Sequence, residues 1–170
     1  MHSIGDVVVY GSSGVMRVVD ISEESFAGQT HRYYVLCGGV SNLNSKTFVP
    51  LDNEKLVAQM RPLVTKEEIL DILHNMDRYP EPEWIPDTRA RQEMFKSIIE
   101  SGDRGRIIAM IRSIQRTGLR RNAEGKKNYL SDENLMNKAQ RILYTELSIV
   151  LGISEDEIVD FIERECGVIA

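Results

Sequence analysis

The side chains that could do covalent chemistry are few and badly spaced for it. Cys37 and Cys166 lie far apart, in no CxxC or Cys/His cluster, and in a reducing compartment they read as free thiols. His2, His31 and His74 have no metal-ligand spacing. The acid pairs Glu23/Glu24 and Glu67/Glu68 fall at exposed or helix-capping positions, which suits solvation better than a general acid–base pair. Gly11-Ser12-Ser13-Gly14 lacks the Lys-Ser/Thr ending and following helix of a phosphate loop, so it reads as a turn. No nucleophile elbow, HExxH, Walker or GxGxxG pattern occurs. The expectation is a protein that binds rather than catalyses, with no cofactor and no metal.

The residue types that remain suit contact with nucleic acid. Trp84, the single tryptophan, sits in the proline-rich run Tyr79-Pro80-Glu81-Pro82-Glu83-Trp84-Ile85-Pro86, just ahead of Arg89 and Arg91. Two readings stand open: a ring that plugs a helical core, or one that stacks on bases, an interaction worth roughly 1–3 kcal/mol per base. Arginines close by would supply phosphate contacts. Net charge is −5, but Gly152–Ala170 holds six acids against one base, and Trp84–Arg141 holds thirteen Lys/Arg against seven Asp/Glu. Such asymmetry fits nucleic acid, and fits salt-bridged helix surfaces equally. Arg112, Arg116, Arg120 and Arg121 cluster toward a helix end. Arg104 and Arg106 stand at a helix start, where the dipole disfavours cations, a hint of an outside partner.

Two kinds of element must position these groups. Over the first sixty or so residues, Val7–Tyr10, Val15–Ile21, Arg32–Cys37 and Lys46–Val49 are short β-rich runs separated by glycines, and Pro50 stops the last. The segment between Ile21 and Gly28-Gln29 reads as a loop. Four or five strands without a helix predict a small curled sheet or barrel. At Val64 the pattern changes. Thr65-Lys66-Glu67-Glu68 is a capping box, with Val64 and Ile69 at the staple positions. Ile69, Ile72, Leu73 and Met76 follow at helical spacing. Further helices are expected from Asp87 to Gly102, on Ala90, Met94, Phe95, Ile98 and Ile99, and from Asp103 to Gly118, on Ile107, Ile108, Ile111 and Ile114. Leu119–Asn128 would then form a basic loop. Ser131 would cap a long helix ending at Gly152, and Ser154-Glu155-Asp156-Glu157 would cap the last. The fold class is α+β in two domains, residues 1–62 and 63–170, the second an all-α bundle of about five helices. No apolar run approaches the length of a bilayer span, and the start lacks a signal-peptide pattern, so a cytoplasmic location is expected.

Taken together, these runs resemble the CarD/CdnL-type bacterial transcription regulators. Gly5-Asp6-Val7-Val8-Val9-Tyr10, Gly14-Val15, Gly28-Gln29, Tyr33-Tyr34-Val35-Leu36 and Phe48-Val49-Pro50 carry the likeness in the first domain. Trp84, Ser101-Gly102-Asp103, Lys138-Ala139-Gln140-Arg141-Ile142-Leu143 and Glu146-Leu147 carry it in the second. The resemblance implies a Tudor/SH3-like antiparallel barrel that binds the RNA polymerase β subunit, with Arg32, Lys46 and Phe48 as contacts. It also implies a helical domain touching promoter DNA at the upstream edge of the transcription bubble. There Trp84 would wedge into the minor groove and stabilise the open complex, aided by Arg89, Arg91, Arg120, Arg121, Lys126, Lys127 and Lys138. The alternative is an adapter that does not bind DNA, using the barrel for polymerase or a repair translocase and the helices for another protein.

Overall fold

The computed structural model describes residues 1–39 and 44–167. The chain divides into two compact units, Met1–Leu63 and Val64–Ala170.

The first unit is one antiparallel sheet of five strands: β1 (Val7–Tyr10), β2 (Gly14–Phe26), β3 (Gln29–Gly38), β4 (Lys46–Pro50) and β5 (Met60–Pro62), in the order β4-β3-β2-β1-β5. A one-turn helix, α1 (Glu54–Val57), precedes β5, with the Asn53 side chain accepting from the Leu56 N–H. Inward-facing Val8, Met16, Val18, Tyr34, Leu36, Val49 and Met60 form the core. Inside and outside alternate in β4, whose Val49 lies opposite Tyr34 of β3, while in β3 Tyr34, Val35 and Leu36 are all buried. In β2 the alternation reverses at a bulge: Val18 pairs with Leu36 and Asp20 with Val35, leaving Val19 over. Even-numbered Met16 and Val18 face the core before the bulge; odd-numbered Ile21 faces it afterwards.

Two expectations for this unit are corrected. The short helix α1 was not foreseen, and the stretch after Ile21 is strand rather than loop. Polar side chains from Ser22 to Ser25 disguise the strand, because this part of β2 has little core to cover and is held by its ladder to β3. The strands turn through Ala27 (φ 50°) and Gly28 (φ 79°). Positive φ at both central positions is the signature of a type I′ hairpin, which Asn-Gly fits best. Ala27 is the only described non-glycine residue with positive φ. Ala27→Asn should therefore raise the stability of this unit by up to about 1 kcal/mol, measured by thermal unfolding.

The second unit holds five α-helices and one 3-10 turn (Met76–Arg78) among the described residues: α2 (Lys66–His74), α3 (Thr88–Ser101), α4 (Arg104–Ala123), α5 (Leu130–Leu151) and α6 (Glu155–Cys166). The helix α4 packs on α2, α3 and α5, while α6 lies against α2 and α5. Ile69, Leu73, Phe95, Ile98, Ile99, Ile107, Ile108, Met110, Leu143, Leu147 and Ile158 are buried at the centre. Both capping boxes form. The Thr65 hydroxyl accepts from the Glu68 N–H at 3.1 Å while the Glu68 carboxylate accepts from the Thr65 N–H at 2.7 Å. At Ser154 the Glu157 carboxylate accepts from both the Ser154 N–H and its hydroxyl, each at 2.9 Å. These hydrogen bonds hold the Glu68 and Glu157 carboxyls below their ordinary range.

A second tie fixes where the chain enters this unit. The buried Glu146 carboxylate on α5 accepts from the Val64 backbone N–H at 2.7 Å and pairs with Arg104. Arg104 thus answers an internal acid, which accounts for a cation at that helix start without an outside partner. Its neighbour Arg106 is exposed.

Three helical expectations also change. The helix α4 does not stop at Gly118 but continues to Ala123. A mid-helix glycine costs about 1 kcal/mol, and the residues after it are competent helix formers. Here the bare Gly118 backbone admits Asn128, whose Nδ2 would lie 3.1 Å from a Cβ at that position. The next helix begins at Leu130 with Tyr129 as its N-cap, so Ser131 lies inside it. In α3 the buried face runs through Arg91, Phe95, Ile98 and Ile99, while Ala90 is exposed. Arginine occupies a position the apolar pattern would give to a hydrophobe.

Candidate nucleic-acid interface

Arg91 organises the neighbourhood of Trp84. The N-cap Asp87, whose carboxylate accepts from the Ala90 N–H at 2.8 Å, starts α3 immediately after the proline run. One turn in, Arg91 points back toward that run and donates through Nη1 to the carbonyls of Ile85 (2.7 Å) and Pro86 (3.2 Å). Its Nε donates to Asp132 Oδ2 on α5 at 3.0 Å. The pair is sealed from solvent, with side-chain exposures of 0% for Arg91 and 2% for Asp132. Burial pushes the Asp132 carboxyl up, and the hydrogen bond and charge of Arg91 oppose that rise.

The guanidinium is also an aromatic mount. Its Cζ lies 4.6 Å from the ring centroid of Trp84 and 4.6 Å from that of Tyr129. A second guanidinium, Arg121, covers Tyr129 at 4.0 Å. Phe95 packs against Trp84 with centroids 6.1 Å apart at 63°. The order Trp84, Arg91, Tyr129, Arg121 thus alternates ring and cation, each cation–π contact worth about 0.5–2 kcal/mol. Arg121 extends the series into the following loop, donating to the Lys127 carbonyl at 2.9 Å and the Tyr129 hydroxyl at 3.1 Å.

The two readings of Trp84 merge. Its side chain is half-buried, and its ring is held by Arg91, Phe95 and Tyr129. Arg91, expected beside Arg89 as a phosphate contact, is instead enclosed and committed to Asp132. Arg89, Arg120 and Lys127 are exposed; Arg121 is half-buried; Lys126 pairs with Glu124 at 2.8 Å. Arg121 brings the end of α4 and the Lys126-Lys127 loop close to Trp84. Lys138 does not join this group: it is half-buried on α5, two residues and so about 200° around the helix from Met136, which lines one cleft with the tryptophan. Arg116 is held by Glu81 of the proline run at 2.9 Å.

Tyr129 and Asp132 are the site residues that pattern reading missed. A tyrosine at a loop end and an aspartate in a first helical turn look like ordinary punctuation. Only Arg91, out of place on an apolar face, hinted that something opposite must answer it.

In the sheet unit, Lys46 and Phe48 share the outward face of the edge strand β4, opposite Cys37 and Val35. Phe48 is 51% exposed and meets Tyr33 edge-on at 6.4 Å. Arg32 is not on that face. It has the parity of inward Tyr34 and Leu36, lies beyond the core, and pairs with Glu23 at 3.4 Å. No group of three or more His, Cys, Asp or Glu side chains among the described residues could hold a metal. No described helix is long and apolar enough to cross a membrane.

An antiparallel β module followed by a helical module that mounts one tryptophan on buried arginine defines a two-module binding architecture. The model of the CarD-like/TRCF RID domain matches residues 2–64, and that of the CarD C-terminal domain matches residues 68–163. The chain belongs to the CarD family. It is 24% identical over 161 residues, covering 95% of this chain and 99% of the relative, to a Bacillus subtilis (strain 168) protein named "Putative transcription factor YdeB". Membership assigns a role in transcription and, for the first module, interaction with RNA polymerase.

Proposed function

We propose that this protein binds the RNA polymerase β subunit through its N-terminal unit and touches promoter DNA at the upstream bubble edge through its helical unit, prolonging the life of the open complex. The observation that carries the reading is the mounting of Trp84: a half-exposed ring backed by a buried, ion-paired guanidinium. Wedging a side chain into a base step costs a few kcal/mol of unstacking, and a ring already fixed in place loses little entropy in doing so. Arg89, Arg120, Arg121, Lys126 and Lys127 would supply phosphate contacts, with Lys138 more distant, while Arg91 serves to position the tryptophan. Lys46 and Phe48 on the exposed β4 edge are the polymerase contacts, with Arg32 peripheral to them. Weak DNA affinity suffices, because tethering to polymerase raises the local concentration.

The test is the half-life of a competitor-challenged open complex with wild-type protein and with Trp84→Ala, each first shown to bind core polymerase. Trp84→Ala should retain polymerase binding and lose most of the lifetime effect; equal lifetimes would remove the wedge. An adapter reading is favoured by exposed Leu119 and Val159 on the helical unit. It gains if salt-dependent DNA crosslinking is absent from Arg89 to Lys127.

A further inference from the structure

The turn that ends α4 is gripped by Arg121 from two sides. Gly125 stands at φ 72° after the C-cap Glu124, the left-handed position that a Schellman closure gives to glycine. Both bonds of that closure are present: the Lys126 N–H donates to the Arg121 carbonyl at 2.8 Å, and the Gly125 N–H to the Asn122 carbonyl at 3.0 Å. Past the closure the Arg121 side chain takes over. Its Nε donates to the Lys127 carbonyl, its Nη1 to the Tyr129 hydroxyl, and its Cζ lies over the Tyr129 ring. Tyr129 is covered in turn by Arg91, so the turn is tied to the buried pair that mounts Trp84.

The bases of this turn differ in what they have left to give. Lys126 is paired with Glu124, and two of the three Arg121 nitrogens donate within the protein. Lys127 is exposed, and its ammonium makes no hydrogen bond or ion pair among the described residues. We propose that Arg121 is a positioning residue for Lys127, and that Lys127, presented on this braced turn, contacts a phosphate of the DNA backbone. The proposal rests on the reading that this side of the unit meets nucleic acid, and it gives the bases there separate roles. A loop lysine that must be ordered on binding gives back part of what the contact gains; a main chain already held at Lys126 and Lys127 has that cost reduced in advance. The grip calls for arginine, because one planar fork serves a carbonyl, a hydroxyl and a ring face together, and an ammonium on a flexible stem does not. Lys126 is in a different position, since a phosphate there would have to displace Glu124.

The full-length protein would be titrated by anisotropy into a short fluorescein-labelled DNA duplex at about 20 to 150 mM KCl, where the slope of log affinity against log salt counts phosphate contacts. Lys127→Ala should make that slope shallower by about 0.9, the loss of one contact, and weaken binding about tenfold at the low-salt end. Arg121→Lys keeps the charge, yet should flatten the slope nearly as far. Adding it to Lys127→Ala should cost little more, since both act through one contact. A wild-type slope in Arg121→Lys would make Arg121 a charge and not a brace, and an unchanged slope in Lys127→Ala would remove the contact; either result overturns the proposal. Circular dichroism checks that each variant folds. Should Arg121→Lys fold poorly, Gly125→Ala takes its place: it leaves every charge in position, strains the turn, and should flatten the slope as well, a wild-type slope again overturning the proposal. If wild-type binding shows no salt dependence while Trp84→Ala shortens open-complex lifetime, Lys127 touches no phosphate and the wedge still stands. If the slopes change as expected but Trp84→Ala leaves the lifetime unchanged, the promoter role falls and the braced lysine remains.

Discussion

Arg91→Met should destabilise the helical unit by about 3–5 kcal/mol at neutral pH, the usual consequence of removing one partner from a buried ion pair. Asp132, 2% exposed, would keep its charge with nothing to answer it. Contacts to the Ile85 and Pro86 carbonyls and to two aromatic faces disappear with the same substitution. The loss should depend on pH, and the sign follows from Asp132. Burial already raises its folded pKa above the unfolded value, with Arg91 opposing the rise; without Arg91 it rises further. A carboxyl raised on folding contributes most below its unfolded pKa and loses that contribution as pH climbs through the folded value. The penalty should therefore shrink as the variant is acidified from pH 7 toward the ordinary carboxylate range. Urea unfolding of Arg91→Met and of Arg91→Met/Asp132→Leu across that range checks this. The double variant should recover much of the loss and show little pH dependence, since a well-packed apolar pair can replace a buried ionic one. A pH-independent loss that the double variant does not recover would mean that shape, and not the charge, is what Arg91 supplies.

The second large effect is expected from Gly105→Ala. Replacing glycine by alanine inside a helix ordinarily gains about 1 kcal/mol. Here the sign should reverse, because a Cβ on Gly105 would come within 2.4 Å of the Tyr79 ring. The ring lies on bare backbone at the start of α4, and Tyr79 opens the proline run that carries Trp84. Overpacking of this kind costs about 1–3 kcal/mol, and the displacement would pass along a stiff segment to the tryptophan. Thermal unfolding should give a lower midpoint than wild type, with a shifted Trp84 emission maximum before unfolding begins. Combining Gly105→Ala with Tyr79→Ala should be markedly less than additive, since the clash made by the new methyl group disappears once the Tyr79 ring is gone. An unchanged midpoint in the single variant would mean that the ring swings aside at little cost.

Much of the helical unit was legible from the chain because its signals are local. Capping boxes at Thr65 and Ser154, apolar residues three and four apart, and Gly102 and Gly152 at helix ends each act within a turn or two. Where the reading failed, a distant partner had decided the outcome. Gly118 looks like a stop until Asn128, ten residues on, is seen occupying the space a side chain would take. Arg91 looks like a surface cation until Asp132 is placed opposite. In the sheet, the bulge at Val19 reverses which residues face inward, so no single two-residue period spans β2. Its polar second half then reads as loop although its ladder to β3 is continuous. Trp84 and the basic residues near it could be singled out by type, but their support by Arg91 and Tyr129 depends on helices brought together only by folding.

The bond from Glu146 to the Val64 N–H bears on how the protein can be dissected. A fragment beginning at Thr65 would still carry the whole capping box of α2, yet it would strip a buried carboxylate of one of its donors. A fragment beginning at Leu63 keeps that donor as an ordinary amide. Two residues at the cut should thus separate a helical unit that unfolds cooperatively from one with a frayed, protease-sensitive entrance.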